Sequence, residues 1–366
     1  MVWRSLVSDH FAATYASARA KFRAAAEKAG ATMTAHVHPE KGPDGDELTT
    51  DVARFGPADA ERVVFIVSGT HGLEGLAGSG CQAAWIKSGG PARLPEGVAA
   101  VAVHMLNPWG CAWSRRQTED NVDLNRNFLD FSEPLPQNDH YEALRPALRC
   151  PAYDGPLRDQ ARADIAAFRA ERGERAYICA LFQGQYADPT GIGFGGQKPT
   201  WSNRTFRQIV AHNARTAKAV ALIDFHTGLG PFGHGMLINT NAAGSQGLAL
   251  AKSWYGHDMA AVGERPEDIP YEIKGDLCGA LERMLGNAVV VPTALEYGTF
   301  EVERLLSLQI DDCWLMNHGD VNAQLGRRIR EELRRFFYPA TAEWLAMIEP
   351  RALQVIGQAI AGMARL

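Results

Sequence analysis

The sequence predicts an α/β protein built on a mixed, mainly parallel sheet with helices on both faces. Three observations predict it. Continuous apolar runs rich in β-branched residues, such as Val63-Val64-Phe65-Ile66-Val67, read as strands buried on both faces. Helical patterns alternate with these runs through the middle of the chain, as in sheets covered by crossover helices. Three of the runs then stop at small or glycine-bearing turns that release a histidine or a glutamate. The chain has 366 residues, enough for a large core. One domain over residues 1–366 is expected, with its motifs between about 60 and 300 and a helical C-terminal extension over about 302–366.

In order, residues 9–29 are rich in alanine with interspersed Lys, Arg and Glu, an amphipathic helix stopped by Gly30. Residues 34–38 and 48–55 read as two short strands joined by a turn over 39–45. The central run follows, then a helical pattern over 81–87. Residues 98–106 form another buried strand that ends in Asn107-Pro108-Trp109-Gly110. From there to Phe131 the chain is polar and loop-like. A helix is expected over 158–172, a long glycine- and aromatic-rich loop over 183–202 and a helix over 205–218. Strands follow at 219–225 and 236–239, a helix at 245–255, a helix at 277–285 and a strand at 288–295. Beyond Val302 helices and turns alternate, the last helix covering 342–361. No internal repeat is present.

The composition is 46% hydrophobic and 22% charged, that of an ordinary soluble globule. A net charge of −5 offers no basic footprint for nucleic acid. No apolar run is long enough for a membrane span. The start, Met1-Val2-Trp3-Arg4-Ser5, lacks the basic-then-apolar pattern of a secretion signal. Cys81, Cys111, Cys150, Cys179, Cys278 and Cys313 form no close pairs, so neither a disulfide framework nor a thiolate zinc site is indicated. A cytoplasmic protein with reduced thiols is expected.

The central run breaks at Ser68-Gly69-Thr70 and delivers His71 and Glu74, three positions apart. The C-terminal ends of central strands are where open α/β sheets bind ligands. Two readings stand for the pair. Glu74 complements the N-terminus of the next helix and His71 is a loop residue, or both hold one cation with a third ligand from elsewhere. A second buried run ends in Ile223-Asp224-Phe225-His226-Thr227-Gly228. By itself His226 reads as a core histidine bonded to a backbone carbonyl. Together, His71, Glu74 and His226 match a catalytic zinc site, which takes three protein ligands and keeps one position open. A third run, from Val289 to Leu295, ends in Glu296-Tyr297-Gly298-Thr299. Glu296 has no histidine beside it, so it suits a general base for the attacking water, or a surface glutamate paired with an arginine. The polar stretch from Arg115 to Phe128 contains Arg116, able to supply charge to an oxyanion. It also contains Asn125-Arg126, a fork of donors suited to a carboxylate. A solvated polar loop is the plain alternative.

Taken in order, these motifs resemble the zinc metallocarboxypeptidase family, the superfamily of carboxypeptidase A and aspartoacylase. That family carries a His-x-x-Glu pair, an Asn-Pro turn, an arginine, an Asn-Arg pair, a distal histidine and a late glutamate. Here these match His71 and Glu74, Asn107-Pro108, Arg116, Asn125-Arg126, His226 and Glu296. The wording Ser-Gly-Thr-His-Gly-Leu-Glu-Gly and Asp-Leu-Asn-Arg-Asn-Phe looks most like an uncharacterised bacterial branch. The resemblance implies a central sheet of eight strands and one zinc ion per chain, held by His71, Glu74 and His226. It implies that Glu296 moves a proton from water to the leaving amine, that Arg116 meets the oxyanion, and that Asn125 and Arg126 grip the substrate carboxylate. It also implies an assisting tyrosine on a mobile loop. Tyr271 is the best match, ahead of Tyr297 and Tyr186. Leu73 stands where carboxypeptidase A has an arginine, so one substrate contact is missing.

The activity so implied is hydrolysis of an amide bond next to a free carboxylate. A metallocarboxypeptidase, a protease acting on a peptide C-terminus, comes first. An aspartoacylase-like N-acyl-amino-acid deacylase is the alternative, although the strand-rich C-terminal domain of that group is not evident after Val302. A metal-free binding protein that kept the cleft is a third possibility; it requires the loss of a chemical residue, and none is lost. The loop over 183–202 is expected to border the substrate entrance as a rim or lid, with Tyr186, Phe194 and Trp201 offering apolar contact.

Overall fold

The computed structural model describes residues 9–257, 259–261 and 273–366. Its strands are β1 Thr32–Lys41, β2 Glu47–Phe55, β3 Arg62–Val67, β4 Val98–His104, β5 Ala219–Gly228, β6 Gly235–Asn239, β7 Ala260–Ala261 and β8 Val289–Gly298. They form one eight-stranded sheet in the order β1-β2-β4-β3-β5-β8-β6-β7. At its centre β4, β3, β5 and β8 run parallel. Antiparallel pairs, β1 with β2, β2 with β4 and β6 with β8, lie outside them. This is the mixed, mainly parallel sheet that the alternation of elements implied. Among the described residues the α-helices are α1 Tyr15–Lys28, α2 Gly75–Lys87, α3 Pro108–Ala112, α4 Asp139–Leu148, α5 Pro156–Phe182, α6 Trp201–Asn213, α7 Gln246–Tyr255, α8 Leu277–Met284, α9 Val302–His318, α10 Gln324–Phe337 and α11 Ala342–Met363. None of them is long and apolar enough to cross a membrane.

The central strands are apolar throughout because both of their faces are covered. Every residue of β4 and β5 is buried. Successive side chains point to opposite faces, and they divide into two cores accordingly. Val64, Ile66, Ala221 and Ile223 pack on one face with Phe22 of α1, Trp85 of α2, Trp254 of α7 and Trp344 of α11. Val63, Phe65, Val67, Val220 and Leu222 pack on the other with Phe206 of α6 and Leu281 of α8. Each such aliphatic side chain contributes about 1.5–3 kcal/mol on burial. Helix α11, from the region expected as a C-terminal extension, therefore shares a core with the central sheet.

Several element boundaries differ from expectation. Helix α2 starts at Gly75, not at Cys81, and is buried through Ile86. Its glycines are there for close approach: a Cβ on Gly78 would lie 2.7 Å from the Ser68 Cβ and 2.9 Å from the Phe225 Cβ. Tertiary packing here overrides glycine's poor helix propensity. Strands β5 and β8 continue to Gly228 and Gly298, so His226 and Glu296 belong to strands and not to the turns after them. Helix α3 lies in the stretch that read as loop-like, α4 in one to which no element was given, and the two-residue β7 carried too short a pattern to be seen.

Candidate functional site

Strands β3, β5 and β8 are neighbours, and their C-terminal ends bring His71, His226 and Glu296 together. His226 and Glu296 are register partners across β5 and β8. Strand β3 has β4 on one side and β5 on the other, so successive crossovers leave it in opposite directions. That is the switch point at which parallel sheets open a crevice.

The loop that carries His71 and Glu74 is held from two sides by backbone bonds. The Leu106 and Asn107 amides donate to the Ser68 and Gly69 carbonyls, and the Gly72 and Leu73 amides donate to the Arg116 and Arg115 carbonyls. Gly72 is tightly enclosed: a Cβ there would lie 2.1 Å from the Gly110 carbonyl carbon and 2.5 Å from the Arg115 oxygen. The loop thus fixes both of its polar side chains against the segment that bears Arg116.

His71, Glu74 and His226 are all buried, and one donor atom from each lies within 4.8 Å of the others. The His71 Nδ1 is 2.9 Å from Glu74 Oε1, the His226 Nδ1 is 3.1 Å from Glu74 Oε2, and the two Nδ1 atoms are 3.2 Å apart. Both outer Nε2 atoms meet carboxylates. His71 Nε2 is 3.1 Å from Asp123 Oδ1, and His226 Nε2 is 2.7 Å from Asp224 Oδ2. The Asp224 Oδ1 accepts from the Thr70 hydroxyl at 2.8 Å. Glu74 makes no side-chain cap to α2; its Oε2 accepts instead from the Thr227 amide at 3.0 Å. The helix-complementing alternative for Glu74 therefore does not describe its contacts.

Electrostatics follow from this crowding. Burial pushes the Glu74 carboxyl up, but the charge and bonds of His71, His226 and Arg116 outweigh it and hold the group well below the usual carboxylate range. Burial likewise raises Asp123, and the charges of Arg116, His71 and Arg126 together more than reverse it. Burial depresses His226, yet Asp224 and Glu74 lift it well above an ordinary imidazole. Glu296 goes the other way. Burial, and then the charge of Glu74, push its carboxyl up to about 7. Its Oε1 accepts from the Leu229 amide at 3.0 Å.

The remaining expected residues line the same cavity of about 270 Å³: Arg116, Asn125 and Arg126 join His71, Glu74, His226 and Glu296 there. The Arg116 Nη1 stands 2.8 Å from His71 Nδ1 and donates to Glu74 Oε1 at 2.6 Å. Asn125 Oδ1 accepts from the Leu277 amide at the start of α8. Arg126 is anchored by carbonyls: Nε and Nη2 donate to Phe182 and Nη1 donates to Asn125. Those bonds use three of the five donors of a guanidinium. Tyr271 lies outside the described residues. Neither alternative tyrosine faces the cavity. Tyr297 points to the opposite side of the sheet, where its hydroxyl donates to the Ile348 carbonyl. Tyr186 is buried and donates to the Arg126 carbonyl at 2.8 Å.

The loop after α5 is a buttress and not a lid. Tyr186 and Phe194 are buried, Trp201 opens α6 with its ring edge-on to His38, and no residue of 183–202 lines the cavity. The loop grips the turn that carries Asn125 and Arg126: the Asp123 amide donates to the Phe194 carbonyl, and the Asn127 side-chain amide donates to the Gly195 and Lys198 carbonyls. Sequence reasoning missed Asp123 and Asp224 as partners of the histidines. A signal for Asp224 was present, because residues two apart on a strand share a face. It also missed the cavity residues Asp276, Cys278, Leu305 and Phe337, whose places depend on how α8, α9 and α10 dock.

A family described as "Protein of unknown function (DUF2817)" matches residues 11–350. No curated protein matches the chain in sequence. Among solved structures, carboxypeptidase A from Helicoverpa armigera aligns over 98% of this chain and 75% of its own, at 11% identity and a TM-score of 0.54. Thrombin activatable fibrinolysis inhibitor aligns over 98% and 75%, at 9% identity and a TM-score of 0.52. At such identities the likeness is one of fold, and the fold is carboxypeptidase-like, as the motifs implied.

Proposed function

The chain belongs to the DUF2817 family, and from the chemistry of its cavity we propose that it is a zinc-dependent hydrolase of an amide bond next to a free carboxylate, of the metallocarboxypeptidase kind. One observation carries this: two imidazole Nδ1 atoms and a carboxylate converge in one buried cavity that also holds Glu296 and Arg116.

The donor set fits the group. Two imidazoles and one carboxylate are a common zinc set in hydrolases, and a carboxylate on the outer nitrogen of each histidine is the usual support for such ligands. Bound by His71, Glu74 and His226, zinc supplies positive charge that polarises the scissile carbonyl and the attacking water. The Leu229 amide holds Glu296 Oε1, which leaves Oε2 to take the proton of water and pass it to the departing nitrogen. Burial lifts this carboxyl above its usual range, in the direction that suits both transfers at neutral pH. Arg116 rests beside the ligands and turns its guanidinium to the oxyanion. Asn125 and the uncommitted donors of Arg126 receive the substrate carboxylate.

Glu296→Gln tests the assignment. The variant is expected to keep its zinc and to release C-terminal residues from peptides or N-acyl amino acids about 100-fold more slowly, or slower still. Turnover at the wild-type rate removes Glu296 from the role of base. Loss of zinc makes it a ligand instead.

A further inference from the structure

Behind Arg116 lies a buried ion pair to which the reaction above gives no part. Arg115 does not line the cavity. Its side chain turns into the protein, where Nη2 is 3.3 Å from Asp312 Oδ2 of α9. The same nitrogen donates to Gln117 Oε1 at 3.2 Å and to Asn121 Oδ1 at 3.0 Å. Both Arg115 and Asp312 are buried. Among the described residues, Asp312 is the one carboxylate in contact with Arg115. Arg330 of α10 faces the same pair: burial and the Arg115 charge hold its guanidinium below the usual value, and Asp312 opposes them. One buried carboxylate therefore serves two arginines.

The two helices run from this pair to the cavity. About two turns before Asp312, on the same face of α9, is Leu305. About two turns after Arg330, on the same face of α10, is Phe337. Both line the cavity. The two arginines follow the same path: Arg115 meets Asp312, and the Arg116 Cζ is 5.8 Å from the centroid of the Phe337 ring. Their backbone is bonded at each step. The Arg115 amide donates to the Gly110 carbonyl at 2.7 Å, its carbonyl accepts from the Leu73 amide at 3.0 Å, and the Arg116 carbonyl accepts from the Gly72 amide at 3.1 Å. The Arg116 guanidinium needs such a hold. It donates to Glu74 Oε1 at 2.6 Å and stands 3.3 Å from Asp123 Oδ2. Both carboxylates draw it toward the ligands, so the place of its backbone decides how far it turns to the substrate oxygen. A misplacement of about 1 Å at such a group costs about 100-fold in rate.

We propose that Asp312 is a positioning residue for Arg116: through its ion pair with Arg115 it fixes the segment from which the Arg116 guanidinium reaches the oxyanion. The proposal rests on the hydrolase assignment above and adds a residue to its machinery from outside the cavity. Asp312→Asn keeps the size of the side chain and removes its charge. Arg115 and Arg330 are then left with each other's charge and no carboxylate between them, and like charges repel. The Arg115 side chain shifts, and Arg116 shifts with it.

The test compares zinc-loaded wild-type protein, Asp312→Asn, Arg116→Ala and the double variant on N-benzoylglycyl-leucine and N-acetylleucine, with zinc content and urea unfolding measured on each. Asp312→Asn is expected to keep its zinc, to lower kcat about 100-fold and to leave KM within about twofold, because the lost contact is made only in the transition state. Arg116→Ala is expected to lower kcat about 100- to 1000-fold. Adding Asp312→Asn to Arg116→Ala is expected to lower kcat by no more than about a further twofold, since a residue that acts through Arg116 has nothing left to position. A purely structural role does not predict that: an Asp312→Asn effect of equal size with and without Arg116 overturns the proposal, and so does an unchanged kcat in the single variant. If Asp312→Asn does not fold, Arg115→Lys takes its place in the same cycle, because it keeps a charge beside Asp312 and gives up the bonds to Gln117 and Asn121; the same two outcomes decide. If the wild type cleaves neither compound, that result counts against the hydrolase assignment and not against the anchor. Crystal structures of the wild type and the Asp312→Asn or Arg115→Lys variant then decide: an Arg116 guanidinium displaced by about 1 Å or more supports the proposal, and an unmoved one overturns it.

Discussion

Asp224 accepts from Thr70 with one oxygen and faces His226 Nε2 with the other. The imidazole therefore has its outer nitrogen engaged and its Nδ1 turned to Glu74 and His71. Asp224→Asn keeps the size of this support but removes its charge, so the ring loses both basicity and a fixed tautomer. Zinc affinity is expected to fall about 10- to 100-fold, with folding nearly unchanged. Competition with a chelator of known affinity measures it, and unaltered affinity would show that Asp224 does not act through His226. At this scale the sequence was readable where spacing alone sets geometry. His71 with Glu74 is such a local pair; Asp224 with His226 is another, whose spacing carried the signal although it went unread. It was not readable for Arg126, whose guanidinium is set by where α5 happens to end, or for Tyr297, whose facing depends on the continuation of β8 past Leu295.

The loop between β3 and α2 is the element that turns a strand end into a pair of ligands, and it tolerates no side chain at Gly72. Gly72→Ala must displace the Gly110 and Arg115 backbone. An overpacked site of this kind costs about 1–3 kcal/mol, and the displaced segment also carries Arg116. The expected result is a lower midpoint in urea together with weaker zinc binding. A variant as stable as wild type with full zinc would mean that the loop is not clamped as described. A second element, α1, is fastened to β2 through Asp51, which accepts from Arg19 at 2.7 Å and from Arg23 at 2.6 Å. Burial would raise this carboxyl, but the arginines outweigh it and hold it below its usual range. A depressed carboxyl stabilises the fold above its unfolded pKa of about 3.9 and loses that contribution as pH falls through the folded value. Asp51→Asn should therefore cost about 2 kcal/mol near pH 7 and almost nothing in strong acid. Urea unfolding at both pH values checks this, and an equal cost at each would point to packing and not charge. The glycine-rich loop of 183–200 shows where element-level reasoning stopped. Its composition told of an unusual backbone, but Tyr186 faces inward to the Arg126 carbonyl and the Gly195 carbonyl holds the Asn127 side chain, and composition does not encode facing.

At the scale of the whole molecule, the alternation of buried runs and helical patterns was sufficient for the sheet, because strands covered on both faces must be apolar throughout. Strand order was not contained in that pattern. The placement of β8 between β5 and β6 is what brings Glu296 beside His226, and it depends on crossovers whose docking is a property of the assembled core. The same holds for the C-terminal helices, which read only as alternating helix and turn and prove to supply a wall of the cavity. The proposed activity rests on this assembly delivering three metal ligands to one point. Zinc content per chain at low free metal, compared between the wild-type protein and His226→Ala, tests that most directly. The expected result is one zinc in the wild type and none in the variant, with the variant still folded; a wild type that binds no zinc, or a His226→Ala protein that keeps it stoichiometrically, would contradict the assignment.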